Sequence, residues 1–233
     1  MPAEIILIVF QVAILIMSVV IHEVSHGVSA LWLGDPTAKY AGRLTLNPLK
    51  HLDLWGSFLV PLIMILTLGF GFGWAKPVPY NPYNLRDQKK GPAIVGLAGP
   101  LSNIVVALIF GLGARFIPLG SVVKVDIIQN LMQFNFSDLA VAISGSFASI
   151  FFLIFVMIVF INVILAFFNL IPIPPLDGSK LLFSIIPLRT ETKIMLEQFG
   201  FVFLLMFIFL FSGLLGSFLI GALSLFFRYV VGL

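Results

Sequence analysis

Ile21-His22-Glu23-Val24-Ser25-His26 places two histidines four residues apart, with a glutamate between them, near the end of an apolar run spanning about residues 4 to 31. Residues four apart share one face of a helix, so His22 and His26 can offer two imidazole nitrogens to a single Zn²⁺ while Glu23 stands beside the open coordination position. Bound zinc lowers the pKa of its water to about 7, and a neighbouring carboxylate can take the water's proton and later return it to a leaving amine. Two unpartnered core histidines and a glutamate would be costly at membrane depth, so a metal accounts for the cluster better than packing does. The run has no basic residue ahead of it and carries the ionisable cluster inside it, so it is expected to remain as a spanning helix.

The composition agrees with a membrane setting. Of the 233 residues 60% are hydrophobic and 10% charged, and 25 are Phe, a balance that soluble domains do not reach. The expectation is an all-α polytopic membrane protein, a single domain over 1–233 with about five to six membrane segments. There is no cysteine, which removes disulfides, thiolate zinc ligands and a cysteine nucleophile together and leaves His, Asp and Glu as ligands. The net charge of +3 is spread over membrane-flanking loops and bears on orientation, with no sign of nucleic-acid binding.

Beyond the breaker Gly34-Asp35-Pro36, loose alternation over residues 37–48 predicts a short β-hairpin whose edge could pair with an extended peptide. His51 and Asp53 follow, and either could be a third metal ligand by chemistry. Segment 54–75 is apolar but holds Pro61, Gly56, Gly69, Gly71 and Gly73, which suits a re-entrant element. A helix over about 93–117 is interrupted by Gly99-Pro100-Leu101-Ser102-Asn103, where Asn103 serves as interhelical glue or as a substrate contact. Residues 119–140 read as a more polar connection. A second long helix, about 142–170, runs into Asn169-Leu170-Ile171-Pro172-Ile173-Pro174-Pro175-Leu176-Asp177-Gly178, where a carboxylate beside proline-broken backbone reads as functional. Apolar helices occupy about 190–231.

These three motifs together resemble the site-2 protease family of intramembrane zinc metalloproteases (peptidase M50-like), over about residues 8–180. The resemblance implies that His22, His26 and Asp177 hold one Zn²⁺ per chain, that Glu23 is the catalytic base, and that Asn169 acts near the substrate. The implied partners are a transmembrane protein substrate and the lipid bilayer. No peptide-binding soluble domain is legible between the core helices and no nucleotide-sensing domain after them, as in a minimal, stand-alone form. Other readings are a membrane zinc protease of the prenyl-processing or heat-shock type, which takes a glutamate as third ligand, and a non-catalytic ion-binding membrane protein.

Elimination also favours Asp177 over His51, because His51 would have to fold back to membrane depth whereas Asp177 follows a separate broken helix. If His22 and Asp177 meet, both helices end on one side of the membrane, with an odd number of crossings between them. Lys39, Arg43, Lys50, Lys76, Arg86, Lys89 and Lys90 flank segment 54–75, against Lys124 alone in 119–140. The positive-inside rule then puts the site toward the cytoplasmic face, and the expected setting is a prokaryotic inner membrane.

Overall fold

The protein is described by a computed structural model covering residues 2–68, 73, 75–186 and 188–233. Among the described residues every regular element is helical. The first helix, α1, runs from Pro2–Trp32, followed by the short α2 at Thr37–Tyr40. A π-helical turn at Leu54–Leu59 leads into α3 at Val60–Leu68. The long α4 spans Gly91–Arg115, and α5 (Ser121–Met132) and α6 (Phe136–Ile143) precede the central α7, Phe147–Asn169. The chain ends in α8 (Gly178–Ile185), α9 (Thr190–Gln198), α10 (Gly200–Leu210) and α11 (Ser212–Leu225), the last continuing as a π-helical turn, Phe226–Val231.

The core forms around α7. Ser146 caps it by accepting the N–H of Ala148 at 3.1 Å, and its 23 residues rise about 1.5 Å each, enough to cross a bilayer core. Phe152, Leu153, Val156, Met157, Val159 and Val163 are buried in the main cluster with Ala107 and Ala114 of α4. Close approach to α4 depends on small residues, as is usual between membrane helices. A Cβ at Gly113 would lie 2.6 Å from the Phe155 ring, and one at Gly111 would lie 2.8 Å from Val230.

Hydrogen bonds fix the helix directions. Ser18 of α1 meets Asn103 of α4, and eight residues later His26 meets Val95, so α1 and α4 are antiparallel. Asn162 of α7 reaches Ser18, and α7 then ends beside the histidines, so α1 and α7 are parallel. Helix α1 therefore ends, and α4 begins, at the same end of the bundle. The chain between them leaves and returns on one side. The expected re-entry of 54–75 falls partly at 69–72 and 74, outside the described residues.

Among the described residues four helices are long and apolar enough to cross a membrane: 3–32, 91–115, 147–169 and 212–231. A fifth span results if 191–198 and 200–210, bent by 60°, cross together. Large apolar side chains such as Ile5, Val9 and Val12 lie exposed on α1, where only lipid would accept them as a group. The protein is an integral membrane protein.

One expectation is corrected. There is no β-hairpin at 37–48, and no strand among the described residues. Asp35 accepts both the N–H and the hydroxyl of Thr37, which winds the chain into α2. Gly42 at φ 64° closes it, with the N–H of Arg43 bonded to Ala38 O. A weak alternation lost to turn chemistry at both ends. The more polar connection at 119–140 is helical, and its α5 and α6 bury Ile127, Leu131 and Leu139 fully in the core.

Asp35 also accepts from the Asn81 N–H and the Asn84 amide, tying the end of α1 to the segment ahead of α4. Burial alone would push its carboxyl up, but the bonds from Thr37, Asn84 and Asn81 outweigh burial and hold it below the ordinary carboxylate value. Folding thus favours the charged form. That contribution is complete above about pH 4, the unfolded value, and is lost as pH falls through it toward the folded value. Thermal melts in detergent should show stability falling below about pH 4, and Asp35→Asn should lower the melting temperature at neutral pH by several degrees while flattening that acid slope.

Candidate metal centre

His22 and His26 face inward from the last third of α1, both nearly buried. Their rings meet edge to face, with centroids 4.6 Å apart. Asp177 comes to them from the opposite side of the sequence: its Oδ2 lies 3.0 Å from His22 Nε2 and 3.1 Å from His26 Nε2. What brings it there is the sharp turn after α7. Pro172, Pro174 and Pro175 cannot continue a helix, and a Cβ at Gly178 would lie 2.2 Å from Leu170 O. Only glycine lets α8 start that close under the end of α7.

The proton positions on both rings follow from their partners. Asn162 donates its amide to Ile158 O at 2.9 Å and to Ser18 Oγ at 2.8 Å, so its oxygen faces Asn103. Asn103 Nδ2 donates to that oxygen at 2.7 Å and to Ser18 O at 3.3 Å. Asn103 Oδ1 is thereby left to accept from His22 Nδ1 at 2.6 Å. His26 Nδ1 lies 2.6 Å from Val95 O, a carbonyl that can only accept. Both rings carry their proton on Nδ1, so two Nε2 lone pairs converge with a carboxylate oxygen.

With both rings neutral, these three atoms are all acceptors at hydrogen-bonding distance, and one cation among them would satisfy all three at once. His22, His26 and Asp177 form a set whose ligand atoms all lie within 4.8 Å of one another, the donor composition zinc takes in catalytic sites. Gly99 of α4 leaves a hollow beside them in which an ion could sit, since a Cβ there would stand 2.5 Å from His26 Nε2 and 2.6 Å from His22 Nε2. The residues fit a zinc ion.

Glu23 turns toward the chain ahead of α4 and accepts the N–H of Val78 at 2.8 Å. A cavity of about 220 Å³ is lined by His22, Glu23, His26 and Asp177 together with Tyr80, Asn169 and Lys180. A larger cavity of about 510 Å³ shares His22, Glu23 and Asn169 but is otherwise walled mainly by apolar residues, among them Val19, Leu165, Phe168, Phe201 and Leu204. Asn169 stands in the wall between the two, its amide donating to Leu165 O at 2.9 Å. Asn103 is fully buried behind His22 and does not line either cavity.

His51 and Asp53 lie elsewhere. His51 Nε2 bonds to Thr45 O, and Asp53 caps the π-helical turn through the N–H of Gly56. Sequence reading overlooked Asn162, though an amide in the interior of the apolar α7 was a visible signal. It also passed over Lys180, whose ammonium reaches Asp177 Oδ1 at 2.8 Å; its place at i+3 from Asp177 at a helix start was the available clue. Because Gly99 leaves the room in which an ion would sit, Gly99→Ala should reduce zinc content of the purified protein by about tenfold or more, read by metal analysis, with the helical circular dichroism retained.

The family model described as Peptidase family M50 matches residues 10–212. The chain is 36% identical over 201 residues to YwhC of Bacillus subtilis (strain 168), named as an inferred zinc metalloprotease, covering 85% of this chain and 80% of that protein. It is 28% identical over 193 residues to Rip2 of Mycobacterium tuberculosis (strain H37Rv), named in the same way, covering 82% of this chain and 62% of that one. Rip2 of Mycolicibacterium smegmatis is 36% identical over 102 residues, or 43% of this chain and 38% of that protein. No solved structure matches. The chain belongs to peptidase family M50, the site-2 protease family, and is a membrane-integral metalloprotease.

Proposed function

We propose that the protein is an intramembrane zinc endopeptidase, one membrane-embedded protease domain holding one zinc ion per chain through His22, His26 and Asp177. Its substrates are transmembrane or membrane-adjacent segments of other membrane proteins. The observation that carries this reading is the meeting of two cavities at His22 and Glu23, one polar and one apolar. An apolar cavity of about 510 Å³ suits side chains of a lipid-borne peptide, and the polar one beside it suits the water that hydrolysis needs.

Zinc in this seat would polarise the scissile carbonyl and make water a stronger nucleophile. The chain's own residues do the rest. Glu23 accepts a proton from water as the water's oxygen bonds to the carbonyl carbon, and passes it to the amide nitrogen as the C–N bond breaks. Val78 N–H holds the Glu23 carboxylate in place. Asn169 lies in the wall shared by both cavities, which supports a role for it in bonding the backbone of an unwound substrate.

Orientation is part of the proposal. The 33–90 stretch begins and ends at the metal end of the bundle and carries Lys39, Arg43, Lys50, Lys76, Arg86, Lys89 and Lys90, whereas 116–146 carries Lys124 alone. This imbalance supports a site toward the cytoplasmic side of the membrane, which we take to be a prokaryotic inner membrane.

Glu23→Gln should abolish cleavage of a transmembrane reporter in detergent, a loss of at least about a hundredfold, while retaining zinc, because an amide cannot take the proton. Asp177→Ala should lose zinc as well as activity. Substantial turnover by Glu23→Gln would rule out the general-base role.

A further inference from the structure

Lys180 stands in the same cavity as Glu23 and the metal set, and the proposed reaction gives it no task. Its Nζ lies 2.8 Å from Asp177 Oδ1, while Asp177 Oδ2 alone faces the two imidazoles at 3.0 and 3.1 Å. The lysine is seated on several sides. Its stem crosses α4 at Gly96, where a Cβ would lie 3.0 Å from Lys180 Cδ. Its ammonium sits 5.6 Å from the centre of the Tyr80 ring, within cation–π range.

We propose that Lys180 is a positioning residue that restricts Asp177 to one-oxygen presentation, so that the centre keeps a place open for water and the scissile carbonyl. The inference rests on the zinc protease reading above. A free carboxylate can offer both oxygens to one metal. Catalytic zinc takes three protein ligands and leaves a fourth position open, and a second carboxylate oxygen would fill it. By occupying Oδ1, the ammonium blocks that closure. Tight metal binding does not explain the lysine, since its positive charge opposes a dication on the same carboxylate. An open coordination position does explain it.

The expected consequence separates this role from simple structural support. Without the ammonium, Oδ1 is free to turn to the metal seat, so zinc is held as well or better while turnover falls. A merely structural lysine would, on removal, lose metal and activity together.

The test uses the full chain in detergent, with wild type, Lys180→Met and Lys180→Arg compared for zinc content, zinc affinity by chelator competition, cleavage of a transmembrane reporter, and the visible spectrum after Co²⁺ substitution. Wild type should bind zinc, cleave, and give the intense spectrum of four-coordinate Co²⁺. Lys180→Met should lose about tenfold or more in kcat with KM little changed, hold zinc at least as tightly, and show the weaker bands of higher coordination. Lys180→Arg should retain kcat within about threefold, because a guanidinium can also pair with Oδ1. Lys180→Met with kcat within about twofold of wild type, or with zinc lost alongside activity, overturns the inference. So does a wild-type Co²⁺ spectrum of higher coordination, which decides the matter even if the methionine variant does not fold. A wild type that neither binds zinc nor cleaves would instead sink the underlying protease reading, and this inference with it.

Discussion

Two imidazole nitrogens each lie about 3 Å from one carboxylate oxygen, with all three atoms within 4.8 Å of one another, and with both rings neutral they need a cation among them. Much of the architecture serves to hold them there. Helix α1 supplies both histidines from one turn, and α7 must end on the same side so that Asp177 can close the set. Helix α4 must run the other way and present glycine, because a methyl group at Gly99 would fall on the histidine nitrogens. Each requirement constrains one of three helices, and together they fix the order and direction of the bundle's centre.

A second constraint acts behind the ligands. In a membrane interior a polar side chain must find a partner within the protein. The run from Ile158 O through Asn162, Ser18 and Asn103 to His22 Nδ1 satisfies every amide it contains and crosses α7, α1 and α4 in doing so. The same bonds that join the helices select the tautomer of His22. Fold stability and ligand orientation are therefore carried by the same atoms. Ser18, Asn103 and Asn162 should accordingly behave as metal-site residues when replaced, although none of them touches the cavity.

The metal helix, the long α4 and α7 and the meeting of His22 with Asp177 were legible in the sequence, because each leaves a strong local mark: four-residue spacing of histidines, apolar runs of membrane length, and a proline-glycine break beside a lone carboxylate. The segment 37–48 was misread as a hairpin because alternation over a few residues is weak, and Asp35 and Gly42 decided the local winding through turn chemistry. Helices α5 and α6 were taken for a connection because their polar residues masked a buried face of Ile127, Leu131 and Leu139. Asn162 pairs with two side chains remote in the sequence, Ser18 and Asn103, so these partners depend on which helices touch. Lys180 pairs with Asp177 at i+3, but that spacing is read only once Asp177 is known to start a helix.

The central claim is that His22, His26 and Asp177 form one zinc centre. X-ray absorption at the zinc edge of the purified protein tests it most directly, combined with metal analysis. The account predicts one zinc per chain with two imidazole nitrogens at about 2.0 to 2.1 Å and oxygen filling the remaining shell at about 2.0 to 2.2 Å. A shell with one or three imidazoles, or a zinc signal that survives replacement of both His22 and His26, would contradict it.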